Sequence, residues 1–350
     1  MELTEISGRA GRRRYLAFQR ALYAGDPGYV CTGSFVLREL LEQTTPFARE
    51  CRVAPVMVED GGRDVAQAMF ICHPALPLLQ VSFFEALEGQ QPAVDLLLDE
   101  ARRRARGLGL PGVVVGLNAH LSYGVGILTE GFHKISFDSL YHKPYYARYF
   151  RGLQKETLSV YRGEKREAQA RLPRAETPEL RVRPADLRDF SRTAERMRVL
   201  CERTIGRTYL YAPTREGHFY HLMKGLRPFL RSENLLFAQN RAGEDVGFLF
   251  WHPDFNQPLA AGRELSLPAI AAAMALGRGR ITTAKLNAIG ALTPGAALAL
   301  LREFARITGD RYPWLETSFV WDNNLPSTRL NRHLLGEPDR KYEVYLIHDL

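Results

Sequence analysis

Residues 284–324 read AKLNAIGALTPGAALALLREFARITGDRYPWLETSFVWDNN. The first nine residues, Ala284–Leu292, are mostly apolar and bounded by turn residues, which predicts a buried strand. The Thr-Pro pair that follows combines a capping hydroxyl with a proline suited to the first helical position, so a helix is expected over 295–308. Trp314–Trp321 alternates as a second strand. The stretch therefore predicts a strand–helix–strand unit with parallel strands.

The start of this helix is the first expected binding position. A helix N-terminus has backbone N–H groups without intrahelical partners, and these favour an anion. We therefore expect an anion-binding turn after Leu292, formed by Thr293, Gly295, Ala296 and Ala297. Asn324 follows the second strand, where it is expected to cap the next helix or contact a ligand.

Length and composition indicate a soluble globular protein of about two domains. The chain has 350 residues, of which 45% are hydrophobic and 25% charged. Residues 1–14 are basic and lack the apolar core of a secretory signal. No apolar run approaches the roughly 18 residues that a membrane helix needs. These features predict a cytoplasmic protein without membrane contact.

The four cysteines, Cys31, Cys51, Cys72 and Cys201, are widely separated and show no C-x-x-C spacing. They predict reduced thiols and neither disulfides nor a metal site. The net charge of +8 favours acidic partners. No nucleic-acid-binding signature accompanies the arginine clusters, so DNA or RNA is not an expected partner.

The strand–helix–strand pattern also occurs earlier in the chain. Leu78–Leu87 is an apolar strand, Pro92 begins an amphipathic helix to Arg106, and Gly112–Leu117 is the second strand. This repetition predicts two related domains, 1–163 and 179–350, joined by a charged, proline-containing linker over 164–178. We expect Glu156–Arg162 to close the first domain and Lys341–His348 to close the second.

Four stretches resemble the GNAT N-acyltransferase superfamily, and more narrowly its bacterial tandem-domain members. Glu316–Leu330 (ETSFVWDNNLPSTRL) is similar to the strand E-x-S-W-V-L-E-D-N and the arginine-containing helix after it. Lys341–Tyr345 (KYEVY) resembles the closing strand K-x-Y-R-I-Y. Asn118–Phe132 resembles N-x-S-x-N-x-x-x-G-L-L-V-E-G-F, and Tyr145-Tyr146 resemble the paired tyrosines that follow it.

The resemblance implies an α/β fold (an α+β mixed sheet) with two tandem GNAT-like domains. Each is a bent, splayed mixed β-sheet flanked by helices. Acyl-CoA, as acetyl-CoA or a longer thioester, inserts its pantetheine arm between the splayed parallel strands. Its pyrophosphate binds an R/Q-x-x-G-x-G/A turn, which corresponds to Leu292–Ala297 and to Gly89–Ala93. Both turns here have fewer glycines and no arginine, and charge-assisted hydrogen bonds are about twice as strong as neutral ones.

Acyl transfer to an amine needs a polarised carbonyl, a route for the amine proton and an acid for the leaving thiolate. The backbone N–H that polarises the carbonyl is expected around Leu292. In the second domain Tyr342 or Tyr345 is the expected acid, with packing as the alternative role. Glu316 is the expected base or amine-binding carboxylate, with pairing to an arginine as its alternative.

The first domain has its own polar cluster in a glycine-rich loop at a strand end. Asn118, His120, Ser122 and Tyr123 lie in this loop, where ligands of α/β sheets collect. His120 stands where the family usually has serine and is either a general base near neutral pH or an ordinary hydrogen-bonding residue. Glu130, in the family-like sequence TEGF, is the expected acidic position of the substrate site.

The sequence thus predicts an N-acyltransferase that moves an acyl group from acyl-CoA to a small amine or amino acid. One domain would bind the donor and the other, degenerate, would shape the acceptor cleft. Two alternatives stay open. One is a non-catalytic GNAT-like binding protein, suggested by the reduced phosphate turns. The other is an N-acyl synthase that takes its donor from an acyl carrier protein docked on arginines. The oligomeric state is open.

Overall fold

The computed structural model describes residues 1–30, 35–174, 177–262 and 265–350, apart from the side chains of Phe35, Leu267 and Arg278. Its strands are β1 (Glu2–Glu5), β2 (Arg52–Asp60), β3 (Arg63–Cys72), β4 (Leu79–Ala86), β5 (Val113–Val115), β6 (Ile127–Glu130), β7 (Gln154–Glu164), β8 (Arg181–Pro184), β9 (Leu235–Gln239), β10 (Asp245–Pro253), β11 (Thr283–Ala291), β12 (Trp314–Thr317), β13 (Val320–Trp321) and β14 (Pro338–Ile347).

The α-helices carry the same chain-order numbering. They are α1 (Gly8–Leu22), α2 (Phe35–Leu41), α3 (Pro46–Glu50), α4 (Gln91–Gly107), α5 (Tyr146–Tyr149), α6 (Lys165–Arg171), α7 (Phe190–Thr204), α8 (His218–Met223), α9 (Leu267–Gly277), α10 (Pro294–Thr308) and α11 (Leu325–Leu335). Both predicted strand–helix–strand units are present, and in each the two strands pair in parallel.

The N-terminal unit comprises Met1–Leu158, Pro258–Leu276 and Arg340–Leu350. Its sheet has the order β1-β2-β3-β4-β5-β14, in which only β4 and β5 are parallel. The inward face of α4 packs on this sheet through Val94, Leu97 and Leu98. The spacing of these residues by three and four positions is that of one helix face, as the sequence predicts.

The C-terminal unit comprises Ser159–Gln257 and Gly277–Asp339. Its sheet has the order β8-β9-β10-β11-β12-β7, with β11 and β12 as the parallel pair. One face packs on α7 and α8 through a cluster that includes Phe190, Phe237 and Phe248. On α10 the buried positions are Ala296, Ala299, Leu300, Phe304, Ala305 and Thr308.

The closing strands differ from expectation. The last strand, β14, pairs with β5 of the N-terminal unit, Tyr345 opposite Val115. The end of β7 pairs with β12 of the C-terminal unit, Glu316 opposite Arg162. The sequence predicts each closing strand for the other unit, because neighbours in sequence usually pair. Nothing in a strand's own alternation specifies which distant sheet it joins.

The units are consequently not contiguous in sequence, whereas the predicted domains are. The predicted linker, 164–178, contains helix α6, whose Lys165 N–H donates to Pro313 O of the same unit (2.8 Å). The segment Pro258–Leu276, between β10 and β11 in the chain, belongs to the N-terminal unit. The cysteines at 51, 72 and 201 are free thiols, and Cys31 lies outside the described residues.

Candidate active site

In the C-terminal unit the two parallel strands separate part-way along their length. They pair from Thr283 opposite Trp314 to Leu286 opposite Thr317. The Ser318 N–H then donates to Leu286 O (2.8 Å). Beyond this point β11 continues to Ala291. The segment after β12 turns away from β11 into β13, which pairs with β7. A fork thus forms, with the far half of β11 on one side.

A β-bulge lies at the point of separation. Phe250 is opposite Ala288 whereas Trp251 is opposite Leu286, so Asn287 is an extra residue in β11. The Leu292 N–H donates to Val246 O of the neighbouring β10 strand (2.9 Å). Because antiparallel strands alternate their hydrogen-bonding direction, the N–H groups of Ile289 and Ala291 point the other way, into the fork.

This geometry revises the expected role of Leu292. Its N–H faces β10 and is already donated, so it does not point at a donor carbonyl in the fork. Alternation along the strand assigns that orientation to Ile289 and Ala291 instead. The sequence shows the strand but not the bulge, and the bulge determines which residues face the fork.

The turn at the start of α10 is formed as predicted, but its donors are largely used. Thr293 Oγ1 accepts the Ala296 N–H (3.2 Å), and Thr293 O accepts the Ala297 N–H (3.2 Å). Pro294 has no N–H. Among the backbone groups of this turn, the N–H groups of Thr293 and Gly295 have no hydrogen bond within the described ranges. The Ala296 and Ala297 N–H groups are thus used within the helix itself, and their expected role in binding phosphate stays a prediction.

Four ionisable side chains lie in one row across the C-terminal sheet. His252, Lys285, Glu316 and Arg162 are successive register partners on β10, β11, β12 and β7. Lys285 Nζ lies 4.0 Å from Glu316 Oε1, with the side chains 1% and 2% exposed. Charges buried this deeply need counter-charges, because the interior solvates ions poorly. Lys285 therefore supports a charged Glu316 one residue before the fork.

His252 completes this row as a neutral base. Burial and the nearby Lys285 charge lower its pKa to about 3. Its ring stacks on Phe255 with centroids 5.7 Å apart. Of these four residues, the sequence analysis predicts only Glu316 as a site residue. A lysine within AKLNAIG and a histidine within FLFWHP are nevertheless unusual in apolar strands, and they are the signal by which the site could have been found.

The N-terminal unit has a similar fork that its own side chains fill. β4 and β5 pair only from Leu79–Val81 to Val113–Val115, and a bulge follows at Phe83, whose φ is +49°. The Phe83 N–H donates to Asn118 Oδ1 (2.8 Å), and Ser82 Oγ donates to Leu117 O (2.5 Å). Asn118 therefore bridges the two strands where a ligand would enter.

Three tyrosines occupy the remaining edge of β4. Tyr146 Oη accepts the Ala86 N–H (3.0 Å), and Tyr145 Oη donates to Ala86 O (2.8 Å). Tyr149 Oη accepts the Gln90 N–H (3.2 Å) at the start of α4 and donates to Leu87 O. The Ala86 N–H and carbonyl, on the edge of β4 that faces the fork, are thus already hydrogen-bonded to protein.

A buried carboxyl lies behind these tyrosines. Glu85 accepts hydrogen bonds from Tyr23 (2.7 Å), Tyr146 (2.7 Å) and Gln19 (3.0 Å). Burial raises its pKa to about 7, although the three donors act in the opposite direction. Sequence reasoning missed this residue, since a single glutamate in an alternating strand reads as a solvent-facing position.

The other residues predicted for the first domain have structural roles. His120 is 1% exposed, and its Nδ1 accepts the Ser122 N–H (3.1 Å) and lies 2.6 Å from Ser122 Oγ. Burial is the main cause that raises the pKa of Tyr123. Glu130 is exposed and pairs with Lys341 (3.0 Å). His120 and Ser122 thus stabilise the loop rather than line a cleft.

The predicted acids of the second domain are in the other unit. Tyr342 and Tyr345 lie on β14, which completes the N-terminal sheet. Tyr342 Oη donates to Leu140 O (3.0 Å), and Tyr345 Oη donates to Glu343 Oε2 (2.6 Å). They therefore belong to a different unit from Glu316, and both hydroxyl groups are hydrogen-bonded to protein. Asn324 caps α11, its Oδ1 accepting the Ser327 N–H (3.3 Å).

Two forked mixed sheets, each with a bulged strand leading into a helix, constitute the fold of GNAT N-acyltransferases in tandem form. This confirms the predicted fold class. No protein-family profile and no curated protein sequence matches the chain.

Solved structures match it over nearly the whole length. A tandem GNAT protein from the clavulanic acid biosynthesis pathway, solved without AcCoA, has a TM-score of 0.55 at 13% identity and covers 99% of this chain and 98% of its own. A probable N-acyltransferase from Enterococcus faecalis gives 0.52 at 9%, covering 99% and 71%. Eis1 from Mycobacterium abscessus gives 0.51 at 13%, covering 100% and 74%. At these identities the likeness establishes the fold alone.

None of the helices within the described ranges is long and apolar enough to cross a membrane. No group of three or more His, Cys, Asp or Glu side chains there is arranged to hold a metal ion.

Proposed function

We propose that the C-terminal unit transfers an acyl group from a pantetheine thioester to a small amine, and that the N-terminal unit is not catalytic. The observation that carries this proposal is the contrast between the two forks. In the C-terminal unit the Ile289 and Ala291 N–H groups point into the fork. In the N-terminal unit Tyr146 and Tyr145 take the N–H and the carbonyl of Ala86, the counterpart of Ala291, and Asn118 takes the Phe83 N–H.

The chemistry follows from the position of the fork. The pantetheine arm pairs with the outward edge of β11 as an added strand, and the Ile289 N–H next to the bulge polarises the thioester carbonyl. The neutral amine attacks the carbonyl carbon, forming the C–N bond as the C–S bond breaks. Glu316 accepts the amine proton, and the thiolate leaves and takes a proton from water. Lys285 supplies the counter-charge that Glu316 needs in this buried position.

The test is a mass-spectrometric transfer assay with acetyl and octanoyl thioesters and a panel of amino acids and small amines. We expect Glu316→Gln to lower kcat/KM by about 10²–10⁴-fold, as loss of a general base does. Glu85→Gln is the matched control, because it removes a buried strand carboxyl from the other unit. It should leave kcat/KM within about threefold of the wild type.

Circular dichroism and melting curves establish that both variants are folded. Absence of transfer from every donor by the wild type would refute the transferase assignment. Loss of activity in Glu85→Gln with retention in Glu316→Gln would instead place the chemistry in the N-terminal unit.

A further inference from the structure

The segment before β8 lies against the N-terminus of α10. A Cβ built on Gly295 would lie 3.6 Å from Leu180 Cδ1, 3.7 Å from Thr177 Cγ2 and 3.9 Å from Glu179 Oε1. A carboxylate oxygen is thus about one van der Waals contact from the turn where the fold would place a diphosphate. The local sequence predicts the turn but not this neighbour, which comes from more than a hundred positions earlier.

Glu179 changes what the turn can recognise. The positive end of a helix dipole favours an anion, and here the protein supplies that anion itself. A diphosphate at the same place would meet a like charge at short range. The turn also offers it few donors, because the Ala296 and Ala297 N–H groups are bonded to Thr293 and Pro294 has none. Repulsion of this kind is a means of excluding one ligand in favour of another.

A basic groove lies further along the same helix. It has a volume of about 340 Å³, and its lining includes Arg174, Arg302 and Arg306. The lining residues comprise these three arginines with Gln169, Ala170, Leu172, Pro173 and Ala305, and Arg306 also pairs with Glu303 (2.6 Å). Arg302 and Arg306 are seven and eleven residues beyond Gly295, or about 10–17 Å along the axis at 1.5 Å per residue. This spacing lies within the reach of a phosphopantetheine arm inserted at the fork.

We propose that the donor is an acyl thioester carried on the phosphopantetheine arm of an acidic carrier protein, and that Glu179 selects it over acyl-CoA. A carrier-bound arm has one singly charged phosphodiester where acyl-CoA has a diphosphate, and it lacks the adenosine portion, so Glu179 repels it less than it repels acyl-CoA. An acidic carrier surface is complementary in charge to the groove. This inference rests on the proposed acyl transfer and specifies its donor.

The experiment compares octanoyl-carrier protein, octanoyl-CoA and octanoyl-pantetheine as donors for the same amine. Wild type is measured beside Glu179→Gln and beside Glu164→Gln, a control that removes an exposed carboxylate at the opposite end of the parallel pair, next to Trp314. We expect kcat/KM with the carrier to exceed that with CoA by about tenfold or more. Octanoyl-CoA should be no better than octanoyl-pantetheine in the wild type and about fivefold better in Glu179→Gln. The control should match the wild type.

The outcomes are separable. Turnover of none of the three donors would refute the proposed function itself. Transfer in which the wild type uses octanoyl-CoA about tenfold better than either other donor, unchanged by Glu179→Gln, would keep the transferase and overturn the carrier inference. A carrier preference that is abolished in Arg302→Gln and by about 0.5 M NaCl would support docking on the groove. A carrier preference that changes neither in Arg302→Gln nor in about 0.5 M NaCl would overturn docking on the groove.

Discussion

At the scale of single residues, the buried ionisable groups are where sequence reasoning was least informative. Glu316 was identified through its place in a strand that resembles the family pattern. Lys285, His252 and Glu85 were not, because their roles depend on partners across strands rather than on their neighbours in sequence. An isolated charged residue in an apolar strand is compatible with solvent exposure, an ion pair or a hydrogen-bond network. Only the register distinguishes these.

Glu85 provides a pH prediction at this scale. Its pKa is about 7 in the folded protein against an ordinary value of 4.5. Between these values the native state holds a proton that the unfolded state has released, so the free energy of unfolding falls as pH rises. The slope is at most about 1.4 kcal/mol per pH unit. Urea unfolding from about pH 4.5 to about pH 7 should show this fall in the wild type relative to Glu85→Gln.

The wild type must be compared with Glu85→Gln because the buried histidines change the free energy of unfolding with pH in the opposite direction. The pKa of His142 and that of His252 are lowered to about 3, and that of His218 to about 4, mainly by burial. Each therefore makes the protein less stable as pH falls below about 6.5. These contributions cancel between wild type and variant. Glu88→Gln, at an exposed position, should show no such pH-dependent difference. If the difference in free energy of unfolding between the wild type and Glu85→Gln did not change with pH, the prediction would be contradicted.

At the scale of elements, the sequence was most informative. The strand–turn–helix pattern at Thr293 was predicted almost to the residue, because capping and proline placement are local effects. The strand predicted over Trp314–Trp321 is instead two strands separated by a bend, since alternation does not reveal a change of partner. The bulge at Asn287 left no sign in the sequence for the same reason.

Thr293 tests the element and the ligand site together. Thr293→Ala removes the hydroxyl that accepts the Ala296 N–H and should lower the free energy of unfolding by about 1 kcal/mol. Thr293→Asp retains an acceptor, and its charge is favoured by the helix N-terminus but opposed by the nearby Glu179 carboxylate, so it should be more stable than Thr293→Ala. Chemical denaturation measures both.

Thr293→Asp also reports on donor recognition. Because the carrier-borne arm brings one singly charged phosphodiester instead of a diphosphate, Thr293→Asp should change kcat/KM for a carrier-borne donor by less than about threefold and should lower that for octanoyl-CoA more. A much larger loss in a variant of unchanged stability would show that a phosphate does bind at Thr293. Asn324→Ala is the control for loss of a helix cap elsewhere in the unit, since Asn324 caps α11 in the same manner.

At the scale of the whole chain, the sequence predicts two domains in tandem but misassigns how each is completed. Each half contains a recognisable strand–helix–strand unit, and this was sufficient to predict the fold. The final strand of each sheet comes from elsewhere in the chain: β14 for the N-terminal unit and Ser159–Glu164 for the C-terminal unit. Periodicity specifies that a segment is a strand. Long-range pairing depends on the complementarity of whole sheet edges, which a single sequence does not display.

This organisation predicts that damage at the C-terminus of the chain destabilises the N-terminal unit. Val344 on β14 is fully buried, beside the Tyr345–Val115 pair. Val344→Asp places a charge in that core, where an ionised group lacks solvation and compensating partners. In hydrogen–deuterium exchange, amides of β5 and α4 should lose protection, whereas those of β11 and α10 should keep theirs. A matched substitution, Ala284→Asp on β11, should give the reverse pattern, because Ala284 is fully buried in the C-terminal sheet. If Val344→Asp deprotected β11 and left β5 intact, the last strand would belong to the C-terminal sheet, as chain order predicts, and Tyr342 and Tyr345 would again share a unit with Glu316.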